Sequence, residues 1–529
     1  MDDFGWDFPY PSQRMPLLAG RVVATSQPLA AQAGLRMLAD GGNAVDAIVA
    51  TAAALTVVEP TMNGLGSDAF VLLWDGDRLR GLNASGRAPA AWTPERFAGQ
   101  ATMPARGWDT VTVPGAVSAW IALWRAHGSL PLQTLLAPAA AYAEDGFLVS
   151  PTVSRQWAAQ AGALRDQPGF AEAFLPGGRT PAAGEHFRCP AQAATLREIG
   201  ATEGESFYRG ALAARVETFA RASGGALTAA DLAAHQADWV EPVSQDYRDL
   251  TLHEIPPNGQ GIAALVTLGV LGHFDLAALP VDSAASVHLQ VEAMKLAFAD
   301  VYAHVADPAA MRVATADLLA PDYLARRALR IDRHRAQDFG PGSPPGSGTV
   351  YLTAADASGR MVSLIQSNYA GFGSGVVVPG TGISLQNRGS AFSLEPGHPN
   401  RVAPGKRPFH TIIPGFISRG GRPLASFGVM GADMQPQGHV QMLVRLADHG
   451  QNPQTAIDGP RWKVARDGSL MVEHHMPATT VASLQALGHR VVVAPRGAME
   501  FGAAQWIHRL AHGYLAASEP RRDGQAVGF

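Results

Sequence analysis

The sequence predicts an α+β protein, because helix-rich sequence is followed by strand-rich sequence within one chain. Of its 529 residues, 47% are hydrophobic and 16% are charged, which is typical of a globular protein with a large core. Helical patterns dominate residues 113–237, whereas β-type runs such as TVYLTAAD and RMVSLIQSN follow residue 348. Two separate domains are the alternative interpretation of the same order.

The first elements along the chain have clear start and stop signals. RVVATS predicts a strand, and an amphipathic helix is expected over residues 30–38. Gly41 and Gly42 end this helix, and Asn43 is a suitable N-cap for the next one. The apolar run 47–58 predicts a buried helix. FVLLW and LRGLN, joined by a Gly-Asp turn, then predict a hairpin.

A second group of elements precedes the strand-rich part of the chain. YRDLTLHEI predicts a strand, and a helix is expected after PPNGQG. A long helix is predicted from about Ser283 to Val305. His288, Glu292 and Lys295 are spaced along it and are interpreted as part of a solvent-exposed face.

Charge and cysteine content exclude several classes of function. A formal net charge of −4 indicates neither nucleic-acid binding nor attraction to an anionic membrane. The longest apolar run is shorter than the ~20 residues that a membrane span needs. The single cysteine, Cys189, allows no internal disulfide, and the N-terminus lacks the pattern of a secretory signal. We therefore expect a cytoplasmic protein that binds neither nucleic acid nor a membrane.

Familiar catalytic motifs are missing from the sequence. It contains no GxSxG nucleophile elbow, no GxxxxGK[ST] phosphate loop and no HExxH metal motif. His474 and His475 are adjacent, so on a strand they would face opposite sides, and no metal site is predicted there. GFGSG, at residues 371–375, is interpreted as a turn.

A hairpin is predicted directly after the segment GPGSPPGSG at residues 340–348. With Gly359 in the left-handed position of the turn ASG, Ser358 lies at the centre of the hairpin. Counting outward then pairs Thr349 with Ser367 on one face of the sheet. An ordinary Thr/Ser cross-strand pair is the alternative to a catalytic role.

The segment 340–348 has the composition of a domain linker. If the bond between Gly348 and Thr349 were cut, Thr349 would carry a hydroxyl and a free α-amino group. The pKa of such an amine is ~8, so it can accept the hydroxyl proton near neutral pH. The sequence therefore also fits an N-terminal nucleophile generated by chain cleavage.

The motifs of the whole chain resemble those of the γ-glutamyltranspeptidase family. They include GGNAVDA, VVEPTMNGLGSDAF, PGAVSAW, APAAAYAEDGF, TVYLTAAD, FGSGVVVPGTGISLQN, GKRPFHTIIP and GVMGAD. The resemblance implies a four-layer αββα sandwich, the N-terminal nucleophile (Ntn) hydrolase fold. It also implies self-cleavage before Thr349 into a large chain, residues 1–348, and a small chain, residues 349–529, interleaved in one domain.

The resemblance assigns catalytic roles to four residues. Thr349 corresponds to the nucleophile of self-cleavage and turnover, and Ser367 to the hydroxyl residue that orients its amine. Gly431 and Ala432 correspond to paired glycines whose backbone N–H groups stabilise the oxyanion. Alanine keeps the N–H group. The implied mechanism requires no metal and no organic cofactor.

Several substrate-binding positions differ from the family pattern. An arginine that binds the substrate α-carboxylate is replaced by Ser85, and the neighbouring Arg87 replaces an uncharged residue. Tyr369 replaces an asparagine. Ala391 replaces the aspartate that binds the substrate ammonium group. A substrate with a free α-amino group is therefore not expected.

A different anion site is expected instead. His410 and Thr411 replace a pair of serines, and Arg388 replaces a neutral amide side chain. Arg388 with His410 is interpreted as a clamp for a carboxylate, since guanidinium binds carboxylate in bidentate fashion. A structural salt bridge is the alternative role of Arg388.

The expected activity follows from these differences. NASGRAP, SNYAGFGSG and MQPQGH resemble the branch of the family that contains oxamate amidohydrolase, which implies hydrolysis of a small carboxylate-bearing amide. A γ-glutamyltransferase or glutathione hydrolase is the first alternative, and an unprocessed, non-catalytic binding protein the second. The branch also suggests a homodimer of processed heterodimers.

Overall fold

A computed structural model describes residues 12–339 and 349–529. The segment GPGSPPGSG, residues 340–348, lies outside the described residues. Its last residue, Gly348, is the one before the predicted cleavage site. The strands are β1 (Leu17–Ala19), β2 (Val22–Thr25), β3 (Asp68–Trp74), β4 (Leu79–Asn83), β5 (Phe147–Leu148), β6 (His186–Phe187), β7 (Asp238–Val240), β8 (Val243–Tyr247), β9 (Leu250–Glu254), β10 (Val350–Ala355), β11 (Met361–Ser367), β12 (Val377–Val378), β13 (Ile383–Ser384), β14 (Gly415–Arg419), β15 (Arg422–Met430), β16 (Trp462–Val464), β17 (Leu470–Val472), β18 (Val491–Val493), β19 (Ala503–Arg509), β20 (Tyr514–Ser518) and β21 (Gln525–Gly528).

Two seven-stranded antiparallel sheets form the centre of the molecule. One has the strand order β1-β20-β19-β15-β14-β9-β8, and the other has the order β21-β2-β10-β11-β3-β4-β7. The sheets face each other, with β10 packed against β15 and β19. Strands from both sides of Thr349 take part in each sheet.

Helices cover the outer face of each sheet. On one side α2 (Ala44–Val58) packs on β10 and β11. On the other side α11 (Gly261–Leu271) and α15 (Met434–Ala447) pack on β8, β9 and β15, which gives the four layers αββα. The predicted fold class is thus confirmed. The helices are α1 (Pro28–Ala39), α2 (Ala44–Val58), α3 (Ala116–His127), α4 (Leu132–Asp145), α5 (Pro151–Ala161), α6 (Phe170–Phe174), α7 (Pro190–Ala201), α8 (Glu205–Arg209), α9 (Ala211–Ala222), α10 (Ala229–Ala233), α11 (Gly261–Leu271), α12 (Ala284–His304), α13 (Thr315–Leu318), α14 (Pro321–Ala328), α15 (Met434–Ala447), α16 (Pro453–Asp458) and α17 (Ala478–Ala486).

The predicted start of α2 and its burial are confirmed. The Asn43 side chain accepts hydrogen bonds from the N–H groups of Val45 and Asp46, and Asp46 accepts one in return from the Asn43 N–H. This reciprocal capping satisfies N–H groups that the first helical turn leaves without partners. Every residue of α2 is buried, as its position between a sheet and the outer helices requires.

Two predictions from the sequence are wrong in detail. YRDLTLHEI is not one strand, because the chain turns at Arg248, which has a φ of 59°, between β8 and β9. On α12, His288 and Glu292 are fully buried rather than exposed. This helix packs against α11, α14, α15 and α17, so little of its surface is left for solvent.

The β10–β11 hairpin has the predicted register. Val350 pairs with Gln366 and Ala355 with Met361, which places Ser358 at the centre of the turn. Gly359 adopts a φ of 89°, the left-handed conformation that glycine reaches at low cost. Continuing this register by one residue sets Thr349 opposite Ser367.

Within residues 12–339 and 349–529, no helix is both long enough and apolar enough to cross a membrane.

Candidate active site

Thr349 lies at the buried end of the β10–β11 hairpin. Its Oγ1 atom is 3.0 Å from Oγ of Ser367, and each residue is at most 1% exposed. Ser367 Oγ also accepts a hydrogen bond of 2.8 Å from the N–H of Tyr369. The Ser367 hydroxyl is thus held by the backbone just after β11, and it faces the hydroxyl of Thr349.

Tyr369 connects Arg388 to the hydroxyl pair of Thr349 and Ser367. Its guanidinium carbon is 4.2 Å from the centre of the Tyr369 ring, and Nη1 donates a 2.8 Å hydrogen bond to Oγ1 of Thr411. Nε and Nη2 are buried and have no hydrogen-bond partner among the described residues. These two atoms form one edge of the guanidinium, the edge that carboxylates bind in bidentate fashion.

The charge of Arg388 is balanced by a buried acid, Asp68. Burial lowers the pKa of Arg388 to about 10, so the guanidinium is still charged at neutral pH, and Asp68 opposes this shift. Burial raises the pKa of Asp68 to about 7, against the opposing effect of Arg388. At neutral pH, therefore, Asp68 is only partly ionised.

His410 is a neutral partner of Asp68. Its Nδ1 accepts from the N–H of Ile412, so Nε2 carries the proton and donates to Oδ2 of Asp68 at 3.1 Å. Burial and the nearby Arg388 hold the pKa of His410 well below its ordinary value. His410 thus contributes no positive charge to an anion site.

Gln260 connects Thr411 to the segment of Gly431 and Ala432. Its Nε2 atom donates to the carbonyl of Thr411 at 2.6 Å and to that of Ala432 at 2.9 Å. Gly431 has a φ of 135° and Ala432 a φ of 51°, and Tyr369 is also left-handed with a φ of 75°. Left-handed non-glycine residues are costly and concentrate at functional sites.

Ser85 belongs to the same buried region, whereas Arg87 does not contact it. Ser85 Oγ donates a hydrogen bond to Oδ1 of Asn83 and accepts one from Nδ2 of Asn258. The backbone carbonyl of Asn258 in turn accepts a hydrogen bond from the N–H of His410. Arg87 is 47% exposed and pairs with Asp307 at 3.3 Å. The charge of Arg87 is therefore paired at the surface.

A cavity of 1300 Å³ adjoins these residues. Its walls include Gly431, Ala370 and Ala391, which are adjacent or close in sequence to Ala432, Tyr369 and Arg388. The rest of the wall is mixed, with apolar side chains such as Phe392 and the cation Arg106. Pockets for drug-sized ligands have volumes of about 300–1000 Å³, so this cavity admits more than a very small molecule.

Two residues of this region were not found from the sequence. Asp68 stands in the motif NGLGSDAF, and its position at the start of a buried strand was the available signal. Gln260 stands in PPNGQG, where nothing local distinguishes it from an ordinary loop residue. Both are recognised only through partners that are distant in sequence.

Removing the Ser367 hydroxyl is expected to slow chain cleavage. Ser367→Ala deletes the 3.0 Å contact with Thr349 and the acceptor of the Tyr369 N–H. The loss of one buried hydrogen bond, about 1–3 kcal/mol, corresponds to a rate about 5- to 150-fold lower. The appearance of fragments over time on a denaturing gel measures this rate. Ser363→Ala, a serine on the same strand whose hydroxyl contacts Tyr351, is the control and should cleave at nearly the normal rate.

Two antiparallel sheets face to face between helical layers form the fold of the Ntn hydrolases, and the hydroxyl pair lies at one end of the central β10–β11 hairpin. The chain belongs to the gamma-glutamyltranspeptidase family, whose model matches residues 30–529.

Similar proteins include hydrolases with different named substrates. Oxamate amidohydrolase proenzyme of Klebsiella pneumoniae is 41% identical over 95% of this chain and 97% of its own length. The glutathione hydrolase-like YwrD proenzyme of Bacillus subtilis is 38% identical over 96% and 98%. A crystal structure of cephalosporin acylase from Bacillus halodurans is 46% identical, with a TM-score of 0.95 over 100% of this chain and 99% of that chain. This chain is therefore an amide-hydrolysing enzyme of the same family.

Proposed function

We propose that this protein cleaves itself before Thr349 and then hydrolyses the amide of a small carboxylate-bearing acyl group, as in oxamate. The unpartnered edge of Arg388 is the observation that carries the choice of substrate. A buried cation with two unused donors is costly unless an anion binds it. A substrate carboxylate supplies both acceptors.

In the proposed reaction the α-amino group of Thr349 takes the proton of its own hydroxyl. Oγ1 attacks the amide carbon, and the N–H groups of Gly431 and Ala432 stabilise the oxyanion. The α-ammonium group returns the proton to the leaving nitrogen, and collapse of the tetrahedral intermediate releases the amine and leaves an ester on Thr349. Water, deprotonated by the same amine, then hydrolyses the ester, which releases the acid and restores the hydroxyl. Ser367 holds Oγ1 and the amine in position for each step.

The anion site extends from Arg388 through its neighbours. Tyr369 stacks on the guanidinium, Thr411 holds Nη1, and neutral His410 positions Asp68. Ser85 supports His410 through Asn258. In this arrangement the acyl carboxylate lies on the buried side of Thr349, and the leaving amine lies toward the cavity.

The size of the cavity supports a second candidate, an acylase that releases a bulky amine. Ammonia, the product from oxamate, needs a small fraction of 1300 Å³. The similarity to a protein named cephalosporin acylase agrees with a larger leaving group. The two candidates share the acyl site at Arg388 and differ only in the amine.

Three substrates separate the candidates. Ammonia release from oxamate and aniline release from N-phenyloxamate compare a small and a bulky amine on one acyl group. Release of 4-nitroaniline from γ-glutamyl-4-nitroanilide tests the γ-glutamyl alternative. We expect turnover of at least one oxamyl amide. Turnover of the γ-glutamyl anilide alone would overturn the proposed acyl group. No turnover of any of the three amides by cleaved protein would overturn it as well and would indicate a different acyl group.

Substrate affinity is expected to depend on pH through Asp68. Since the pKa of Asp68 is raised to about 7, lowering the pH through this value neutralises a nearby carboxylate whose negative charge opposes binding of the substrate carboxylate. The KM for oxamate should therefore be lower at pH 6 than at pH 8, by about three- to tenfold. Asp68→Asn should give a low KM at both pH values. A KM that rises as the pH falls would contradict this role.

A further inference from the structure

A cluster of three buried side chains lies apart from the residues assigned to catalysis. His288 and Glu292 are one turn apart on α12, so they lie on the same face, and His489 approaches them from the segment before β18. One ligand atom from each side chain lies within 4.8 Å of the others. All three are buried, although polar groups at this spacing on a helix are usually exposed.

The hydrogen bonds of the cluster orient its ligand atoms. His288 Nε2 is 2.8 Å from the carbonyl of Asp332 and therefore carries the proton, which leaves the lone pair of Nδ1 directed at His489. The distance from His288 Nδ1 to His489 Nε2 is 2.7 Å. Histidines that bind metal ions usually donate their second N–H to such an outer partner, often a backbone carbonyl.

Glu292 supplies the anionic group of the cluster. Its Oε1 atom binds Lys295 Nζ at 2.7 Å, and its Oε2 accepts from the N–H of Gln337 at 3.0 Å. Lys295 also donates to the carbonyl of Gln337. Its ammonium group therefore keeps one hydrogen-bond partner if an ion takes its place at Glu292.

We propose that His288, Glu292 and His489 bind a divalent transition metal ion, with zinc the best match to two imidazoles and one carboxylate. Nδ1 of His288 and Nε2 of His489 act as ligands after the His489 proton moves to Nδ1. Two nitrogens bound to one zinc are roughly 3.3 Å apart, so the imidazoles separate by about 0.6 Å. A cavity of 650 Å³ lined by His489, Lys295 and Gln337 admits the ion and a water as fourth ligand.

The site joins parts of the chain on both sides of Thr349. Two ligands precede that residue and His489 follows it, so a bound ion would hold together the two fragments expected from cleavage. This consequence rests on the proposed processing, whereas ion binding itself does not. Ion binding and chain cleavage can therefore be tested independently.

Zinc binding to the full-length purified protein tests the site. After chelator treatment and dialysis, zinc is added, free ion is removed by gel filtration, and bound zinc is measured by mass spectrometry of the metal. We expect about one equivalent per chain. At about 100 Kd of free zinc the thermal unfolding midpoint should rise by about 2–3 °C. His489→Gln and Glu292→Gln should lose both effects, and the exposed control His512→Gln should keep them.

A variant with the opposite expected effect guards against a simple folding defect. Lys295→Met removes the ammonium that competes for Glu292 and should bind zinc about tenfold more tightly. Cobalt in place of zinc should give visible absorption bands in wild-type protein that are absent in His489→Gln. No bound zinc in wild-type protein, or equal binding by folded His489→Gln, would overturn the proposal, the second result indicating an adventitious ion at another site.

Discussion

Thr349→Ala is expected to give a single chain of 55.5 kDa with amidase activity reduced by about 10⁴-fold or more. The substitution removes Oγ1, which the proposal uses both to cleave the chain and to attack the substrate. Denaturing mass spectrometry reports the first effect, and amine release the second. The fold should persist, because only one methyl and one hydroxyl are removed from the end of β10.

Thr349→Ser is the matched control for this prediction. It keeps the hydroxyl and the α-amino group that cleavage would create, so the chain should still be cut and retain measurable activity. Thermal unfolding of both variants checks that neither is merely misfolded. A Thr349→Ala chain that still divides at residue 348, or still hydrolyses amide at the normal rate, would show that another group is the nucleophile.

Arg388→Ala is expected to leave chain cleavage intact while raising the KM for oxamate by about 100-fold. Arg388 contacts Tyr369 and Thr411 rather than Thr349, so the processing groups keep their positions. The loss of two charge-assisted hydrogen bonds to a carboxylate costs about 3 kcal/mol, which is the source of the expected change. Steady-state kinetics on cleaved protein give KM and kcat separately.

Two further substitutions show whether the effect belongs to the guanidinium edge. Arg388→Lys keeps the charge but not the bidentate geometry, so it should recover only part of the affinity. Arg87→Ala removes a half-exposed ion pair with Asp307, and its KM should change by less than about threefold. An unchanged KM in folded Arg388→Ala would exclude Arg388 from substrate binding and favour a structural role.

Local features of the sequence were sufficient to predict the hairpin that carries Thr349. Its register depends on one turn, and Gly359 marks the position in that turn that needs a positive φ. The same reasoning predicted the cap at Asn43 and the burial of α2. These features involve residues close together in the chain, where backbone geometry leaves few alternatives.

The surroundings of Arg388 could not be predicted in this way. Asp68 and His410 are 342 positions apart in sequence and meet only because β3 and the segment before β14 converge in the folded chain. The helix pattern of α12 likewise suggested solvent exposure for His288, since the sequence does not reveal which helices later pack over it. Tertiary packing determined both outcomes.

The central claim is that the chain cuts itself before Thr349. The most direct test is the intact mass, under denaturing conditions, of freshly purified protein after overnight incubation. Self-cleavage is expected to give two fragments, Met1–Gly348 and Thr349–Phe529. A single chain of 55.5 kDa would contradict it and would favour an unprocessed binding protein.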